Sequence, residues 1–339
     1  MRVLIAGEPS VHLQNYCRAI KKHIKEIILL TETPANIPEA SRSYVANFRG
    51  SNPLKWLSNR KEINKIISKE KPDIIHIHQI NRLAYFTASS AEKTPIVSTA
   101  WGSDVLLMPK KNIIYKNICR YVLRKSKYIT ADAGIMINAM NDIFPSKTKY
   151  VHLQYGINPV QPSNKEHIIY SNRLHKKLYN IEDIIMDFDA FFKKHTGWEL
   201  HIAGSGTETA QLKELSKKLN SGKKISFLGW LNEEENRKEY AKASIYASIP
   251  SSDGVSVSLL ESMSANCIPV VSDLPANKEW IEDGINGVIK KENTNPFEEA
   301  LKLNLENCFS INQKKIRDNA EKNKTTEIFF NLYCKAINE

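Results

Sequence analysis

The chain has 339 residues, which predicts two domains at about 150 residues each. Since 42% of the residues are apolar and 25% carry a charge, the composition is that of a folded globular protein and excludes disordered, fibrous and disulfide-scaffold chains. The net charge of +11 is uneven, because residues 1–160 hold 24 Lys and Arg against 11 Asp and Glu, whereas the remaining residues hold 24 against 26.

Short β-branched runs alternate with longer amphipathic stretches throughout the first half of the chain. The predicted strands are Arg2–Ala6, Glu26–Leu30, Ile74–His78, Ile96–Ser98, Tyr128–Ala131 and Val151–Leu153. The predicted helices lie near residues 11–22, 54–70 and 113–125. Alternation of this kind is typical of a parallel sheet built from right-handed βαβ units.

The same alternation begins again in the second half. The predicted strands are Ile168–Tyr170, Glu199–Ala203, Ile225–Leu228, Ile245–Ser248, Ile268–Val271 and Gly287–Ile289, with helices near 181–194, 207–220, 232–242 and 256–265. The sequence therefore predicts an α/β protein with two doubly wound parallel-sheet domains, at residues 1–160 and 161–323. A last apolar helix, near 324–339, has the surface to pack back on the first domain. Ligands of such sheets bind beyond the carboxyl ends of the strands, so two such domains would face a cleft.

A candidate anion site follows the apolar run Ile245–Ile249. The chain passes through Asp253-Gly254 and enters a helical pattern near Ser256, and the N–H groups at a helix start favour a diphosphate. Glu261 lies eight residues after Asp253, where a carboxylate could accept hydrogen bonds from two vicinal hydroxyls. The alternative is that Asp253 caps the helix and that Glu261 is solvated.

The segment D-G-V-S-V-S-L-L-E-S-M-S-A-N-C-I-P-V-V, which starts at Asp253, resembles the E-x7-E signature of the retaining glycosyltransferases of family four, which have the GT-B fold. Asp253 replaces the first Glu, so the pattern here is D-x7-E. The resemblance implies that Glu261 binds the ribose of a nucleotide-sugar donor and that Asp253 lies near the transferred sugar. It also implies that the sugar and its phosphates are held by the backbone of Gly254, Val255, Ser256 and Val257.

Further segments of the second half resemble the same family. In I-I-Y-S-N-R-L, Arg173 takes the position of an arginine that binds the diphosphate, where a guanidinium would stabilise the leaving group. Tyr179-Asn180 stands where the family has Lys and Gly, so Lys177 or Lys176 could supply that charge, with a solvated surface role as the alternative. The glycine turns implied to approach the donor are at Gly204, Gly206 and Gly229. Trp230, after the last of these, is expected to pack against the protein rather than to stack on a base.

In the first half, K-P-D-I-I-H-I-H and S-T-A-W-G-S-D also resemble family segments, and Trp101 replaces a histidine of the family's T-x-H-G-S-D. His76 is expected to be a buried structural histidine. The residues assigned to the acceptor or sugar side are Gly7, Glu8, His12, His78, Trp101 and Asp104, and the last of these is expected to brace its loop.

The resemblance implies an enzyme that moves a sugar from a UDP- or GDP-sugar to a glycan or lipid-linked glycan, with retention of configuration, in synthesis of a cell-envelope polysaccharide such as lipopolysaccharide, capsule or exopolysaccharide. The sequence has no DxD-like pair after a strand and no His/Cys cluster with ligand spacing, so neither a metal nor another cofactor is expected. Three alternatives stay open: a GT-B nucleotide-sugar epimerase or phosphorylase, a non-catalytic sugar-nucleotide-binding protein of the same fold, and a nucleic-acid binder. No recognition motif supports nucleic acid as a partner.

The segment Pro109–Lys127 is basic and amphipathic, as expected of a helix on an anionic membrane surface, where each Lys or Arg adds about 1 kcal/mol. The alternative is a core-facing helix with a solvated basic face. No signal peptide and no apolar run of about 18 residues is recognised, and the five scattered cysteines are expected to be reduced. These features predict a cytoplasmic protein that can bind peripherally at the inner face of the cell membrane.

Overall fold

The computed structural model describes residues 1–48, 53–147 and 149–339. The chain forms two compact units: the first consists of Met1–Gly156 together with Lys322–Glu339, and the second is Ile157–Glu321. Each unit has a hydrophobic core of its own.

Within the described residues, the first unit is built on a seven-stranded sheet whose strands all run parallel. The order across the sheet is 3-2-1-4-5-6-7 in chain numbering, so the connections reverse direction between the first and fourth strands. A doubly wound sheet binds ligands in the crevice at the carboxyl ends of such a pair. The strands are β1 (Arg2–Gly7), β2 (Glu26–Thr31), β3 (Arg42–Val45), β4 (Ile74–His78), β5 (Ile96–Thr99), β6 (Tyr128–Ala131) and β7 (Tyr150–His152).

The helices of the first unit are α1 (Val11–Ile20), α2 (Pro53–Glu70), α3 (Arg82–Ser90), α4 (Ser103–Leu106), α5 (Met108–Lys111), α6 (Ile113–Lys125), α7 (Gly134–Ile143) and, at the end of the chain, α15 (Lys322–Asn338). One layer contains α3 packed between α2 and α6, and another contains α1 packed against α15. The apolar side chains of α15 complete the core, since Phe329 and Tyr333 are buried among Tyr16, Cys17 and the strands. Full burial of such a side chain contributes about 1.5–3 kcal/mol.

The second unit has a six-stranded parallel sheet with the order 10-9-8-11-12-13. Its strands are β8 (Glu166–Ser171), β9 (Glu199–Ala203), β10 (Ile225–Gly229), β11 (Ala243–Ser248), β12 (Ile268–Val271) and β13 (Val288–Ile289). Its helices are α8 (Ile181–Phe192), α9 (Thr209–Lys217), α10 (Glu233–Lys242), α11 (Val257–Ser264), α12 (Pro275–Lys278), α13 (Pro296–Ala300) and α14 (Leu305–Asn319). Short 3-10 turns lie at Lys177–Tyr179 and Gly222–Lys224.

The predicted fold class of two doubly wound parallel-sheet units is confirmed. The predicted strands and helices are all present, with ends that move by up to three residues. The sequence analysis did not predict the edge strand β3, nor the helices α3, α4, α5, α7, α12, α13 and α14.

Candidate functional site

Two predicted site residues of the second unit are in direct contact. Arg173 follows β8 and Asp253 follows β11, and because these strands are paired neighbours the two side chains meet at one edge of the sheet. Nη2 of Arg173 lies 2.6 Å from Oδ2 of Asp253, which makes a charge-assisted hydrogen bond. The Arg173 side chain is only 12% exposed, so its charge is largely shielded from water.

Two further contacts hold the Arg173 guanidinium. Its Nη1 donates to Oγ of Ser256, and its Cζ lies 4.6 Å from the centroid of the Tyr179 ring, which is a cation–π contact. Burial alone would lower the pKa of Arg173, but the Asp253 carboxylate and the hydroxyls of Tyr246 and Tyr179 together outweigh this and keep the pKa above its ordinary value. The guanidinium therefore stays protonated and can offset the charge of a phosphate.

Ser256 connects this arginine to the start of α11. The Ser256 side chain makes no capping hydrogen bond to the helix, and its hydroxyl bonds Arg173 instead. The amides at a helix start carry partial positive charge and favour an anion. The Gly254 N–H, which the sequence analysis assigned to the donor, donates at 3.0 Å to Oδ1 of Asp253 in this structure. The residues predicted to hold the phosphates thus follow Asp253 in the turn before α11, and Arg173 contacts this turn from the loop after β8.

Glu261 is half-buried on α11. Burial raises the pKa of the Tyr240 hydroxyl, and the nearby Glu261 carboxylate raises that pKa further. The carboxylate therefore lies on the side of α11 that approaches α10, where Tyr240 is located.

A hydrogen-bond network that the sequence analysis missed holds the residue before Arg173. Nδ2 of Asn172 donates to the Tyr240 hydroxyl at 2.7 Å and to Oδ1 of Asn236 at 3.0 Å. Oδ1 of Asn172 accepts from the Tyr246 hydroxyl at 3.1 Å. The arginine loop is therefore tied to α10 and β11. The only signal in the sequence was the position of Asn172 directly before the arginine in I-I-Y-S-N-R-L.

The two glycines after β9 are required by contacts inside the unit. A Cβ on Gly204 would lie 2.6 Å from the carbonyl oxygen of Arg173, and a Cβ on Gly206 would lie 2.3 Å from that of His175. The two loops are also bonded directly, since the His175 N–H donates to the Ser205 carbonyl at 3.2 Å. Glycine at these positions therefore lets the loop after β9 lie against the loop that carries Arg173.

We expect Gly206→Ala to lower the free energy of unfolding by about 1–3 kcal/mol, because the added methyl group must push two backbone segments apart. Gly197→Ala is the matched control, since its new Cβ would meet only Nδ1 of His167, at 4.0 Å. Urea denaturation of both variants measures the difference. Equal stability of the two variants would contradict this account of the loop contact.

The Tyr179-Asn180 positions have a defined role here. The Tyr179 ring supports the guanidinium of Arg173, as described above. Asn180 adopts φ +50°, a left-handed conformation that asparagine tolerates better than most residues, and its Nδ2 donates to the Ile249 carbonyl at 2.9 Å. Lys176 and Lys177 are exposed beside this turn. Because asparagine tolerates this conformation, it can occupy position 180, where the family pattern has glycine.

The turn after β10 corrects one expectation. Trp230 was predicted to pack against the protein, and this is wrong, because its side chain is 64% exposed. It follows Gly229, which has φ +72° and whose carbonyl accepts from the Gly204 N–H at 2.7 Å. That left-handed turn ends the strand and leaves the indole in solvent.

In the first unit, two histidines lie buried at the end of β4. His76 is a structural histidine as predicted: Nε2 bonds Oγ1 of Thr99 at 2.8 Å, and Nδ1 bonds the Tyr333 hydroxyl. Nδ1 of His78 bonds the Tyr155 hydroxyl at 2.8 Å, whereas its Nε2 has no hydrogen-bond partner among residues 1–48, 53–147 and 149–339. Gly7 contacts this histidine closely, since a Cβ on it would lie 2.9 Å from Cβ of His78.

Trp101 belongs to an aromatic group beside His78. Its ring is stacked on Tyr155 with centroids 4.3 Å apart, and the His12 ring lies 5.1 Å away. Asp104 is buried and braces the loop, because its carboxylate accepts from the Trp101 N–H at 3.0 Å and from the Ile80 N–H at 2.8 Å. Burial raises the pKa of Asp104 to about 6.

A cavity of about 340 Å³ lies at the same edge of this sheet. Two of the predicted acceptor-side residues, Glu8 and Asp104, line it. His12, His78 and Trp101 belong to the neighbouring aromatic group and not to its wall. Phe48, Arg82, Met108 and Tyr115 also line the cavity.

The buried histidines predict a loss of stability in acid. Burial lowers the pKa of His78 to about 3, whereas the unfolded chain takes up that proton near pH 6.5. Between these values the unfolded state binds more protons, so stability falls as the pH drops. From pH 7 to pH 5, His78 alone accounts for about 2 kcal/mol. The raised pKa of Asp104 acts in the opposite direction between about pH 4 and pH 6, and offsets part of this loss.

We therefore expect His78→Gln to show a smaller fall in thermal midpoint between pH 7 and pH 5 than the parent protein. His152→Gln, at an exposed position of the same unit, controls for the loss of a histidine. Scanning calorimetry at both pH values gives the comparison. An identical fall in His78→Gln and in the parent protein would refute the assignment.

No group of three or more His, Cys, Asp or Glu side chains arranged for a metal ion occurs in the part of the chain that the structure describes. Among those same residues, no helix is both long enough and apolar enough to cross a bilayer.

Each of the two units matches the model of a known protein family. Residues 158–323 match the family described as Glycosyl transferases group 1, and residues 3–133 match the family described as Glycosyl transferase 4-like. The chain therefore carries two glycosyltransferase domains of the GT-B type. No curated protein sequence matches the chain significantly.

Solved structures share the fold at low sequence identity. A glycosyltransferase from Rickettsia africae has a TM-score of 0.79 and 16% identity, over 99% of this chain and 98% of that one. Anabaena HepE in complex with UDP has a TM-score of 0.79 and 12% identity, over 99% and 100%. The lipopolysaccharide outer core galactosyltransferase WaaB in its apo form has a TM-score of 0.65 and 15% identity, over 100% and 98%. At these identities the similarity establishes a common GT-B fold.

Proposed function

We propose that this chain, with its two glycosyltransferase domains, is a retaining enzyme of the family-four type that moves a sugar from a nucleotide-sugar donor to a hydroxyl acceptor. The observation that carries the proposal is the guanidinium of Arg173, which is largely shielded from water. It is held at the start of α11 by Asp253, Ser256 and Tyr179. A protonated group fixed beside helix amides at the carboxyl ends of parallel strands is suited to a diphosphate.

The donor would occupy the second unit. Its diphosphate would accept hydrogen bonds from Arg173 and from the amides at the start of α11. It would replace the Asp253 carboxylate, which accepts from Arg173 and from the Gly254 N–H in this structure. Glu261, which lies about one turn further along α11, would accept hydrogen bonds from the ribose hydroxyls. We favour a UDP-sugar, since HepE, which shares the fold over the whole chain, was solved with UDP. The glycine turns at Gly204 and Gly229 would bring backbone close to the nucleotide.

The proposed reaction needs no protein nucleophile. The bond between the anomeric carbon and the phosphate oxygen breaks, and a bond from the same face forms to the acceptor oxygen. The acceptor proton passes to the departing phosphate oxygen, so atoms and charge balance. Electrostatic stabilisation of the leaving diphosphate then dominates catalysis, and Arg173 and the α11 amides supply it without a metal ion.

The acceptor would bind the first unit at the carboxyl ends of β1 and β4. The cavity there has carboxylate, amide and guanidinium groups from Glu8, Gln79 and Arg82, which suit the hydroxyls of a glycan. We propose a glycan or lipid-linked glycan of the cell envelope as the acceptor class. The fold shared with WaaB supports this class.

A binding and turnover screen tests the proposal. Thermal midpoints are measured with UDP- and GDP-sugars, and the true donor is expected to raise the midpoint by mass action. Transfer is then measured with envelope glycan acceptors, with and without EDTA, and the anomeric configuration of the product is read by NMR. Retained configuration and EDTA-resistant turnover are expected.

Three outcomes would contradict the proposal. Failure of every nucleotide sugar to raise the midpoint would remove the donor site. Release of an epimer or of a sugar phosphate without acceptor would favour an epimerase or phosphorylase, and binding without any transfer would favour a sugar-nucleotide-binding protein.

A further inference from the structure

Three fully buried tyrosines of the second unit form one group, which we call the tyrosine cluster. Tyr170 lies on β8, Tyr240 on α10 and Tyr246 on β11. The ring centroid of Tyr240 lies 5.2 Å from that of Tyr170 and 5.7 Å from that of Tyr246. Phenylalanine would fill such a core without the cost of burying a hydroxyl. Three hydroxyls in one buried group therefore indicate a polar role.

The hydroxyls of the tyrosine cluster converge on the Asn172 amide. Nδ2 of Asn172 donates to the Tyr240 hydroxyl, and its Oδ1 accepts from the Tyr246 hydroxyl, as described above. The Tyr170 hydroxyl donates at 2.6 Å to Oδ1 of Asn236, which also accepts from Nδ2 of Asn172. Asn236 is itself anchored, because its Nδ2 donates at 3.0 Å to each of two backbone carbonyls just before α10. Three hydrogen bonds therefore fix the orientation of the Asn172 side chain.

Tyr246 lies close to both charged groups that the proposed function assigns to the donor. Burial raises the pKa of the Tyr246 hydroxyl, the Arg173 guanidinium acts against this rise, and the Glu261 carboxylate adds to it. Burial and then the Glu261 carboxylate raise the pKa of the Tyr240 hydroxyl in the same way. Because such interactions weaken with distance, the tyrosine cluster must adjoin both groups.

A nucleoside diphosphate makes a strict demand on the separation of these two groups. Its diphosphate and its ribose are covalently joined, so a ligand that contacts Arg173 and Glu261 together needs them at one distance. Arg173 lies in the loop after β8, whereas Glu261 lies on α11, so this distance depends on how the loop is held. A misplacement of about 1 Å can cost an enzyme about 10²-fold in rate.

We infer that Tyr240 and Tyr246 are positioning residues of the donor site. Through Asn172, their hydroxyls hold the loop of Arg173 at the distance from Glu261 that a nucleoside diphosphate spans. The inference rests on the proposed function, because it takes Arg173 as the ligand of the diphosphate and Glu261 as the ligand of the ribose. The two tyrosines are buried behind these groups, so they act on the donor only through them. Their loss should therefore matter only for a ligand that engages both groups.

Calorimetric titration of the full chain with UDP, GDP and their 2′,3′-dideoxy forms tests this inference. Tyr246→Phe is expected to raise the Kd of the nucleoside diphosphate about tenfold, because the arginine loop gains freedom relative to α11. The Kd of the 2′,3′-dideoxy form should change by less than about twofold, since the ribose contact with which the loop must align is already absent. Tyr240→Phe should act in the same direction by about threefold, because Nδ2 of Asn172 keeps its bond to Asn236.

Tyr170→Phe is the matched control. It removes an equally buried hydroxyl but leaves all three hydrogen bonds of Asn172, so its Kd for each ligand should equal that of the parent. The thermal midpoint of each variant shows whether it is folded. If Tyr246→Phe does not fold, Tyr240→Phe provides the same comparison of the two ligands.

Three results would overturn the positioning role. The first is an unchanged Kd for the nucleoside diphosphate in the folded Tyr246→Phe and Tyr240→Phe variants. The second is equal weakening of the natural and the dideoxy ligand, because a general loss of order would then be responsible. The third is an effect of Tyr170→Phe as large as that of Tyr246→Phe. Each of these leaves the proposed function intact, whereas failure of the parent to bind UDP or GDP would remove the proposed function and this inference with it.

Discussion

Arg173→Ala is expected to lower kcat about 10²–10³-fold, the usual effect of removing one preorganised group that stabilises charge in the transition state. The guanidinium is shielded from water and fixed by three partners, so water cannot replace it at the same position. The KM for the donor should change less than kcat, because the charge on the leaving diphosphate is largest as the glycosidic bond breaks. Initial rates with saturating donor and acceptor measure the effect.

Arg173→Lys is the informative companion. Lysine keeps the positive charge but loses the planar fork that bonds Asp253 and Ser256 together, so we expect an activity between those of the parent and the alanine variant. The thermal midpoint of each variant controls for folding. An alanine variant that is folded and retains the parent kcat would exclude Arg173 from the reaction.

Glu261→Gln is expected to raise the KM for the nucleotide sugar about 10–150-fold, since a hydrogen bond to a charged group is worth about 1.5–3 kcal/mol. The change in kcat should be small, because the ribose is remote from the bond that breaks. Glu234→Gln is the control, as Glu234 is an exposed carboxylate on α10 of the same unit. Steady-state kinetics with varied donor concentration give both constants.

A donor analogue makes this test specific. A nucleotide sugar without the 2′ and 3′ hydroxyls should bind the parent and Glu261→Gln equally, because the lost interaction is already absent. Unequal binding would mean that Glu261 acts through the fold of α11 and not through the ribose.

Strands that are buried on both faces were predictable from the sequence, whereas the exposed edge strand β3 was not. In β2, five of the six residues of E-I-I-L-L-T are buried, and four of them form the continuous apolar run of a central parallel strand. In β3, the residues R-S-Y-V are mostly exposed and pair only with β2. An edge strand with exposed faces has no apolar pattern, so only tertiary pairing reveals it.

Helix α14 shows a second limit of sequence patterns. Its buried stripe is Cys308, Asn312 and Ile316, so a polar residue interrupts the apolar period. Asn312 is buried because its side chain exchanges hydrogen bonds with Asn286, at 2.8 and 3.1 Å. Since that partner lies 26 residues away, the helix pattern alone could not show why an amide belongs in the core.

In the candidate site, too, the residues in local motifs were predictable and the residues that support them from elsewhere in the chain were not. Arg173 and Asp253 were predictable because each follows a strand in a recognisable local motif, and the pairing of β8 with β11 then brings them together. The support of the arginine was not predictable, because it comes from distant side chains that share no motif. Tyr179 stands where a lysine was expected, and only the structure places its ring against the guanidinium.

The path of the chain has a consequence for biosynthesis. The second unit is continuous in sequence, whereas the first unit needs α15, whose Tyr333 hydroxyl lies 2.6 Å from that of Tyr16. Residues far apart in the chain must therefore meet before that core closes, which is slow compared with local folding. During synthesis the second unit can fold first, whereas the core of the first unit stays incomplete until α15 has been made. A stop codon within the 17 residues of α15 would then leave a chain that proteases degrade, although every residue of the second unit is already made.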